Sequence, residues 1–281
     1  MKLKFNKAVI VGPGLIGGSI GMILRQKKIA ASVVGVARKD KTLTVARRRG
    51  LIDYGTKDVK RAIRGADLIV LALPVDAIKK TIKLIGRYVQ SGCLIFDVGS
   101  TKREILKAAA KMLPKKVYFV GTHPMAGSEK SGPAHANSGI FKKSLCFVVM
   151  SDTTNRCALK KVVKLWKFFG ARVELISAAK HDRIVAQMSH LPHLISAALV
   201  ESVEKKNLKF AATGFKDTTR IAAADSVMWQ SIFFSNRKEI LGAIKIFESR
   251  LKKFKNDLEQ NRIRNSKKQL ERARNKRETV V

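Results

Sequence analysis

Apolar side chains along this chain come in two textures. Up to about residue 177 they form short runs with little polar alternation, at residues 7–11, 32–36, 68–73, 94–98, 117–120, 145–150 and 173–175. The stretches between them carry the 3.6-residue period of amphipathic helices. Runs without alternation suit parallel strands covered on both faces, so the pattern predicts an α/β fold with a doubly wound sheet. Beyond Ser177 the strand pattern stops. Residues 178–205, 211–224 and 228–259 show helical spacing alone, as in His190, Leu194, Ala197, Ala198 and Glu201. The change of texture predicts two domains, residues 1–176 and an all-helical 177–281. Residues 260–281 hold few large apolar side chains besides Ile263, Leu270 and the terminal valines, and read as a solvated helix or a frayed tail.

The first run ends at Gly12-Pro13-Gly14-Leu15-Ile16-Gly17, and a helical stretch follows to about Lys28. Glycines so spaced between a strand and a helix form the turn of a dinucleotide-binding βαβ unit. Gly12 permits the tight turn, Gly14 lets the backbone approach a pyrophosphate, and Gly17 lets helix and strand pack closely. The helix start at Leu15 and Ile16 faces the phosphates. The N-terminal domain is therefore expected to be of Rossmann type. An acidic residue that would bind the ribose 2′-hydroxyl belongs about 20 residues further on. Ala37 stands there, followed by Arg38 and Lys39, which can neutralise a 2′-phosphate. The expected cofactor is NAD(P), with NADP favoured over NAD; the plain alternative for the two cations is ordinary surface charge. Asp40 reads as a possible helix cap.

The 281 residues carry 57 Lys and Arg against 21 Asp and Glu, a formal charge of +36, densest at residues 39–49, 111–116 and 252–277. Such a field favours polyanions or anionic substrates and leaves the fold open. The chain has neither a zinc-finger spacing nor the aromatic-basic signature of an RNA-binding sheet. Specific nucleic-acid recognition is not expected, and no metal site is read. Cys93, Cys146 and Cys157 lack CxxC spacing and fit reduced thiols in a cytoplasmic protein. Basic residues 1–7 before apolar residues 8–24 have the layout of a signal peptide, but the five glycines and Pro13 in that run argue for the nucleotide turn instead. No other stretch reaches the uncharged length of about 20 residues that spans a bilayer, so no membrane association is expected.

Candidate chemistry clusters where the runs end. Asp97-Val98-Gly99-Ser100-Thr101-Lys102 closes the run at residues 94–98, at the carboxyl edge where open α/β sheets bind ligands. Ser100 there contacts substrate or nicotinamide, or caps a helix starting near Thr101, and the two roles are compatible. Residues 121–132, Gly-Thr-His-Pro-Met-Ala-Gly-Ser-Glu-Lys-Ser-Gly, place His123 in a glycine-rich loop directly after a strand. An imidazole facing a nicotinamide suits acid–base work near neutral pH. His181-Asp182 begins a helix carrying Ser189-His190-Leu191-Pro192-His193, where Pro192 is expected to kink the helix, a device that lines pockets. Lys216 and Arg220, four apart on one helical face, suit a carboxylate; surface cations are the alternative. Trp229 fits core and pocket wall equally.

Together these runs resemble the prephenate and arogenate dehydrogenase family of tyrosine biosynthesis. The matching motifs lie at residues 12–19, 97–100, 121–129, 181–193 and 215–222, in order through most of the chain. The resemblance implies a Rossmann domain followed by a helical dimerisation domain, hence a homodimer, acting on a small dicarboxylate. It makes His123 the acid–base that accepts the 4-hydroxyl proton of prephenate, with Ser100 bonding that hydroxyl or orienting His123. Arg220 would bind a substrate carboxylate, and Lys216, Glu129 and His193 match further pocket positions. The chain departs from the pattern at Ala37 and in its very basic C-terminal end. Three rivals stay open: arogenate as the substrate, another NADP-dependent hydroxy-acid dehydrogenase, and a non-catalytic nucleotide-sensing or nucleic-acid-associated protein.

Overall fold

Strand β1 (Phe5–Val11) buries Ala8, Val9, Ile10 and Val11 in succession, so its side chains enter both faces of the sheet. In this computed structural model, which describes residues 3–127, 130–151 and 154–280, the sheet continues through β2 (Ala30–Val36), β3 (Tyr54–Thr56), β4 (Leu68–Leu71), β5 (Leu94–Asp97), β6 (Tyr118–Pro124), β7 (Leu145–Met150) and β8 (Arg172–Ser177). The order is β3-β2-β1-β4-β5-β6-β7-β8. It reverses direction at β1, which leaves a crevice beyond the carboxyl ends of β1 and β4.

Helices cover both faces: α1 (Leu15–Gln26), α2 (Asp40–Arg48), α3 (Val59–Ile63), α4 (Val75–Ile85), α5 (Arg103–Met112) and α6 (Arg156–Phe168). One core layer packs Ile10, Ile20, Leu24, Val70 and Phe96 with Trp166, whose ring meets Phe96 edge-on at 6.0 Å. The other packs Val9, Val11, Ile69, Leu71, Ile78, Ile95 and Ile105. Each such side chain, fully buried, stabilises the fold by about 1.5–3 kcal/mol. Burial on both faces is the physical reason the strand segments read as unbroken apolar runs.

Three features depart from the expected layout. β3 holds three residues around Gly55, too few for any period to register. β6 pairs antiparallel with β7, which adds one reversed neighbour to an otherwise parallel sheet. That pairing sets His123 opposite Phe147 and Pro124 opposite Cys146, so His123 lies inside the strand's last turn of ladder and not in a loop after it. Cys93 and Cys146 are buried and Cys157, on α6, is exposed; all three are free thiols.

After β8 the chain is helical: α7 (Ala178–Val185), α8 (Leu191–Glu201), α9 (Thr213–Thr219) and α10 (Ser226–Ser235). A π turn, Ala186–His190, separates α7 from α8. The break expected at Pro192 thus falls one turn earlier, and Pro192 sits in the first turn of α8, where its missing N–H costs little. Residues 211–224 divide into α9 and a 3₁₀ turn, Arg220–Ala223.

By internal contacts the chain forms two units, Met1–Asn236 and Arg237–Val281. The second contains α11 (Arg237–Glu259) and α12 (Ile263–Glu278). Asn261 turns the chain between them with φ 48°, and Gln269 Nε2 donates to Asp257 Oδ2 at 2.6 Å. The C-terminal segment is therefore a solvated helix through residue 278. No helix among the described residues is long and apolar enough to cross a membrane.

Candidate active site

Between β1 and α1 the backbone turns at Gly12, whose φ is 92° and whose Cβ, if present, would strike the Ala72 carbonyl oxygen. A Cβ on Gly17 would overlap the Gly12 carbonyl and stand 2.8 Å from Ala72 Cβ. Gly14 differs, since a Cβ there would meet no protein atom within 4 Å. Packing explains the first two glycines. Open space in front of a helix explains the third. α1 has no side-chain cap and no acidic residue in its first turn, so the N–H groups of Leu15 and Ile16 present the positive end of the helix dipole to that space. The residues present fit the pyrophosphate of a dinucleotide. Arg38 and Lys39 are exposed beyond β2. Asp40 is not a cap: Lys39 holds the cap position of α2, and Asp40 pairs with Lys57 at 2.6 Å.

At the same edge of the sheet, Ser100 is half-buried and stands ahead of α5, which starts at Arg103. Ser100 therefore does not cap that helix. The Asp182 carboxylate from α7 does so, accepting from the N–H groups of Lys102 at 2.8 Å and Arg103 at 3.0 Å. A full negative charge with two acceptor oxygens answers a helix N-terminus better than a hydroxyl can. Lys102 and Asp97 form a fully buried ion pair that sequence reading passed over, although both lie in the run it quoted. Burial pushes the Asp97 carboxyl upward, while Lys102 and the N–H groups of Gly99 and Thr122 pull it down. The Thr122 hydroxyl donates to the Asp97 carbonyl and the Thr122 N–H to the Asp97 carboxylate, so Asp97 ties the end of β5 to β6.

His123 Nδ1 lies 3.0 Å from His181 Nε2, and His181 Nδ1 lies 2.7 Å from Asp182 Oδ1. The His181 ring is held between those of His123 and Phe147, with centroids 5.2 and 5.3 Å away. Burial, then repulsion from His181 whenever that ring is protonated and from the Lys102 ammonium, hold His123 well below the usual histidine range. Burial lowers His181 as well, against the pull of Asp182. Burial alone would raise Asp182, but its bonds to His181, Arg103 and Lys102 outweigh that and lower it.

Asn236 extends the network: its Nδ2 donates to the Asp182 carbonyl at 2.8 Å and lies 3.2 Å from His190 Nδ1. Burial brings His190 down to about 4. On α8 the His193 ring stacks on Trp229 with centroids 3.6 Å apart, so Trp229 is a wall for that ring. His193 Nδ1 and Ser196 Oγ are buried without a hydrogen-bond partner among the described residues. Two orphaned polar atoms one helical turn apart point to a polar ligand at α8. Lys216 on α9 and Arg220 at the head of the 3₁₀ turn are exposed, and both segments pack against α8. Glu129 lies outside the described residues. The structure thus gathers His123, His181, Asp182, Asn236 and His190 into one network; no described hydrogen bond ties Ser100, Arg38, Lys39 or Lys216 to it. His181 and Asp182 were visible in sequence only as a helix start, because their partners lie 58 and 80 residues away.

Comparison with known proteins gives two family models in tandem. Residues 20–175 match the nucleotide-binding domain of prephenate dehydrogenase, and residues 177–272 match its dimerization domain. The prephenate dehydrogenase of Lactococcus lactis is 35% identical over 254 residues, 88% of this chain and 69% of that protein. The Bacillus subtilis prephenate dehydrogenase is 33% identical over 83% of this chain, which spans 65% of that relative's length. Among solved structures, the prephenate dehydrogenase of A. aeolicus in complex with hydroxyphenyl propionate and NAD+ superimposes with a TM-score of 0.93 at 29% identity, covering 100% of both chains.

Proposed function

This chain belongs to the prephenate dehydrogenase family, and we propose that it converts prephenate to 4-hydroxyphenylpyruvate by oxidation of the ring carbinol and loss of carbon dioxide. The observation that carries the reading is His123, set at the carboxyl edge of the sheet with Nδ1 engaged by His181. When bound, NAD(P) supplies the hydride acceptor. Gly12, Gly14 and Gly17, with the N–H groups of Leu15 and Ile16, hold its pyrophosphate. Arg38 and Lys39, exposed beyond β2 where Ala37 offers no carboxylate to a ribose, make NADP the favoured form over NAD.

His123 accepts the hydroxyl proton at Nε2 as the carbinol C–H bond breaks, and Ser100 bonds the same hydroxyl or orients the imidazole. The bond from the ring to its carboxylate then breaks, its electrons pass through the ring to the carbonyl oxygen, and the ring becomes aromatic. The proton held on His123 returns to that oxygen. Arg220 binds a substrate carboxylate in the bidentate manner of a guanidinium, with Lys216, Glu129 and His193 as further pocket positions. The orphaned His193 Nδ1 and Ser196 Oγ support a polar ligand there.

The division into residues 1–176 and 177–281 belongs to this proposal, as does a homodimer formed through the second part; the adjoining family models at residues 175 and 177 support both. Three free thiols support a reducing, cytoplasmic setting. Steady-state kinetics with prephenate and arogenate, each crossed with NAD and NADP, is the test. We expect prephenate turnover with catalytic efficiency about tenfold or more higher for NADP, the worth of one or two Arg–phosphate bonds. Equal use of both cofactors removes the NADP preference. No turnover of either substrate removes the reading.

A further inference from the structure

We propose that Asp182, acting through His181, fixes the tautomer of His123, so that Nδ1 carries the hydrogen and Nε2 is the bare nitrogen that meets the substrate. This rests on His123 being the base. His181 and Asp182 are positioning residues in it, since neither touches the reacting atoms.

The assignment follows from counting donors and acceptors. Asp182 Oδ1 receives the Lys102 N–H and Oδ2 the Arg103 N–H, at the N-terminus of the ten-residue α5. Two N–H groups and a helix dipole hold an anion, and a carboxylate only accepts. His181 Nδ1, 2.7 Å away, must therefore donate. A neutral imidazole has one hydrogen, which leaves His181 Nε2 as an acceptor. His123 Nδ1 stands 3.0 Å from it and must supply the hydrogen of that bond. The single hydrogen of neutral His123 is then spent on Nδ1, and Nε2 keeps its lone pair. Burial keeps both rings in the neutral form on which the count depends.

A histidine ring takes whichever tautomer its hydrogen bonds select. Without His181, the His123 ring would spend part of its time with a hydrogen on Nε2, where it can accept nothing. The arrangement also has a second effect. When Nε2 takes a proton, the positive charge is shared through Nδ1–H to His181 and faces the Asp182 carboxylate. Lys102, the other cation nearby, is already paired with Asp97, and His190 lies beyond Asn236.

The tautomer can be read directly from ¹⁵N shifts of the five histidines in the labelled full chain without substrate or cofactor, with His123→Asn to assign the signals. We expect a protonated, pyrrole-type Nδ1 and a bare, pyridine-type Nε2 on His123. His181→Phe fills the same space and accepts no hydrogen bond. It should give His123 mixed ¹⁵N shifts and lower kcat by about 10–100-fold with little change in KM, as when an imidazole base loses its orienting partner. His181→Gln places an amide oxygen towards His123 and an amide N–H towards Asp182, much as the two ring nitrogens do. It should restore the shifts and regain most of the lost kcat.

A parent spectrum with the hydrogen on Nε2 overturns the proposal. So does folded His181→Phe with the parent's kcat and pH profile, or His181→Gln restoring the tautomer without restoring kcat. If His181→Phe does not fold, the parent spectrum and His181→Gln decide. The two readings fail separately: a His123→Asn protein that keeps its turnover removes His123 as base whatever the spectrum shows, and a reversed tautomer with inactive His123→Asn removes only the role of His181 and Asp182.

Discussion

As the proposed base, His123 would act only while its ring is neutral, and its burial beside His181 and Lys102 makes the charged form costly. A base with a lowered pKa stays ready in mildly acidic solution, and its activity is lost as pH falls through that lowered value. We expect kcat/KM for prephenate to stay level from neutral pH downward past about 6.5, the ordinary histidine value, before an acid limb appears. An acid limb centred at or above the ordinary value would show that the His123 ring is not kept neutral as the structure implies. His123→Asn keeps the size and polarity but removes the basic nitrogen, so kcat should fall by about 10²–10⁴ while cofactor affinity, measured by fluorescence titration, holds. The candidate base was legible from sequence because a histidine between Gly121 and Pro124 at a strand end is a local signal. The residues bonded to it were not, since the His181 and Asp182 contacts depend on how α7 packs against α5 and the neighbouring strands β7 and β8.

At the scale of elements, the glycine turn and the buried pair make separate tests. Gly14→Ala puts a methyl into space that no protein atom occupies, so the melting temperature should hold while cofactor affinity falls about tenfold or more. Gly17→Ala drives a methyl against the Gly12 carbonyl and should cost about 1–3 kcal/mol in denaturant unfolding. Equal losses of affinity and stability in the two variants would mean that Gly14, too, is a packing residue. Asp97→Asn leaves the Lys102 ammonium buried without its anion, and the expected loss is about 3–5 kcal/mol. A loss below about 1 kcal/mol would mean that the buried pair contributes little to stability. The strands and the nucleotide turn could be read in advance because both are written within a few neighbouring residues. β3 is too short to carry a period, and the antiparallel β6–β7 neighbour leaves no mark on a run buried from both sides. The α5 cap comes from an aspartate 79 residues away, a distance no local pattern spans.

The whole molecule is set apart by its charge of +36. Along the exposed α12, Arg264, Lys268, Arg272 and Lys276 recur every four residues, which aligns them as one basic stripe on a single face. We expect the protein to bind heparin or duplex DNA at low salt, with affinity that falls steeply as salt rises. Removing residues 260–281 should weaken that binding and leave turnover within a few-fold. A truncated chain that loses cofactor or its association state would mean that the segment serves the fold. The three thiols bear on how such association can be followed. Cys93 and Cys146 are sealed inside, with the Cys93 thiol pushed up to about 12 by burial, whereas Cys157 is open on α6. A maleimide dye would therefore attach at one known place without mutagenesis, and mixing donor- and acceptor-labelled chains would report in real time whether two chains associate.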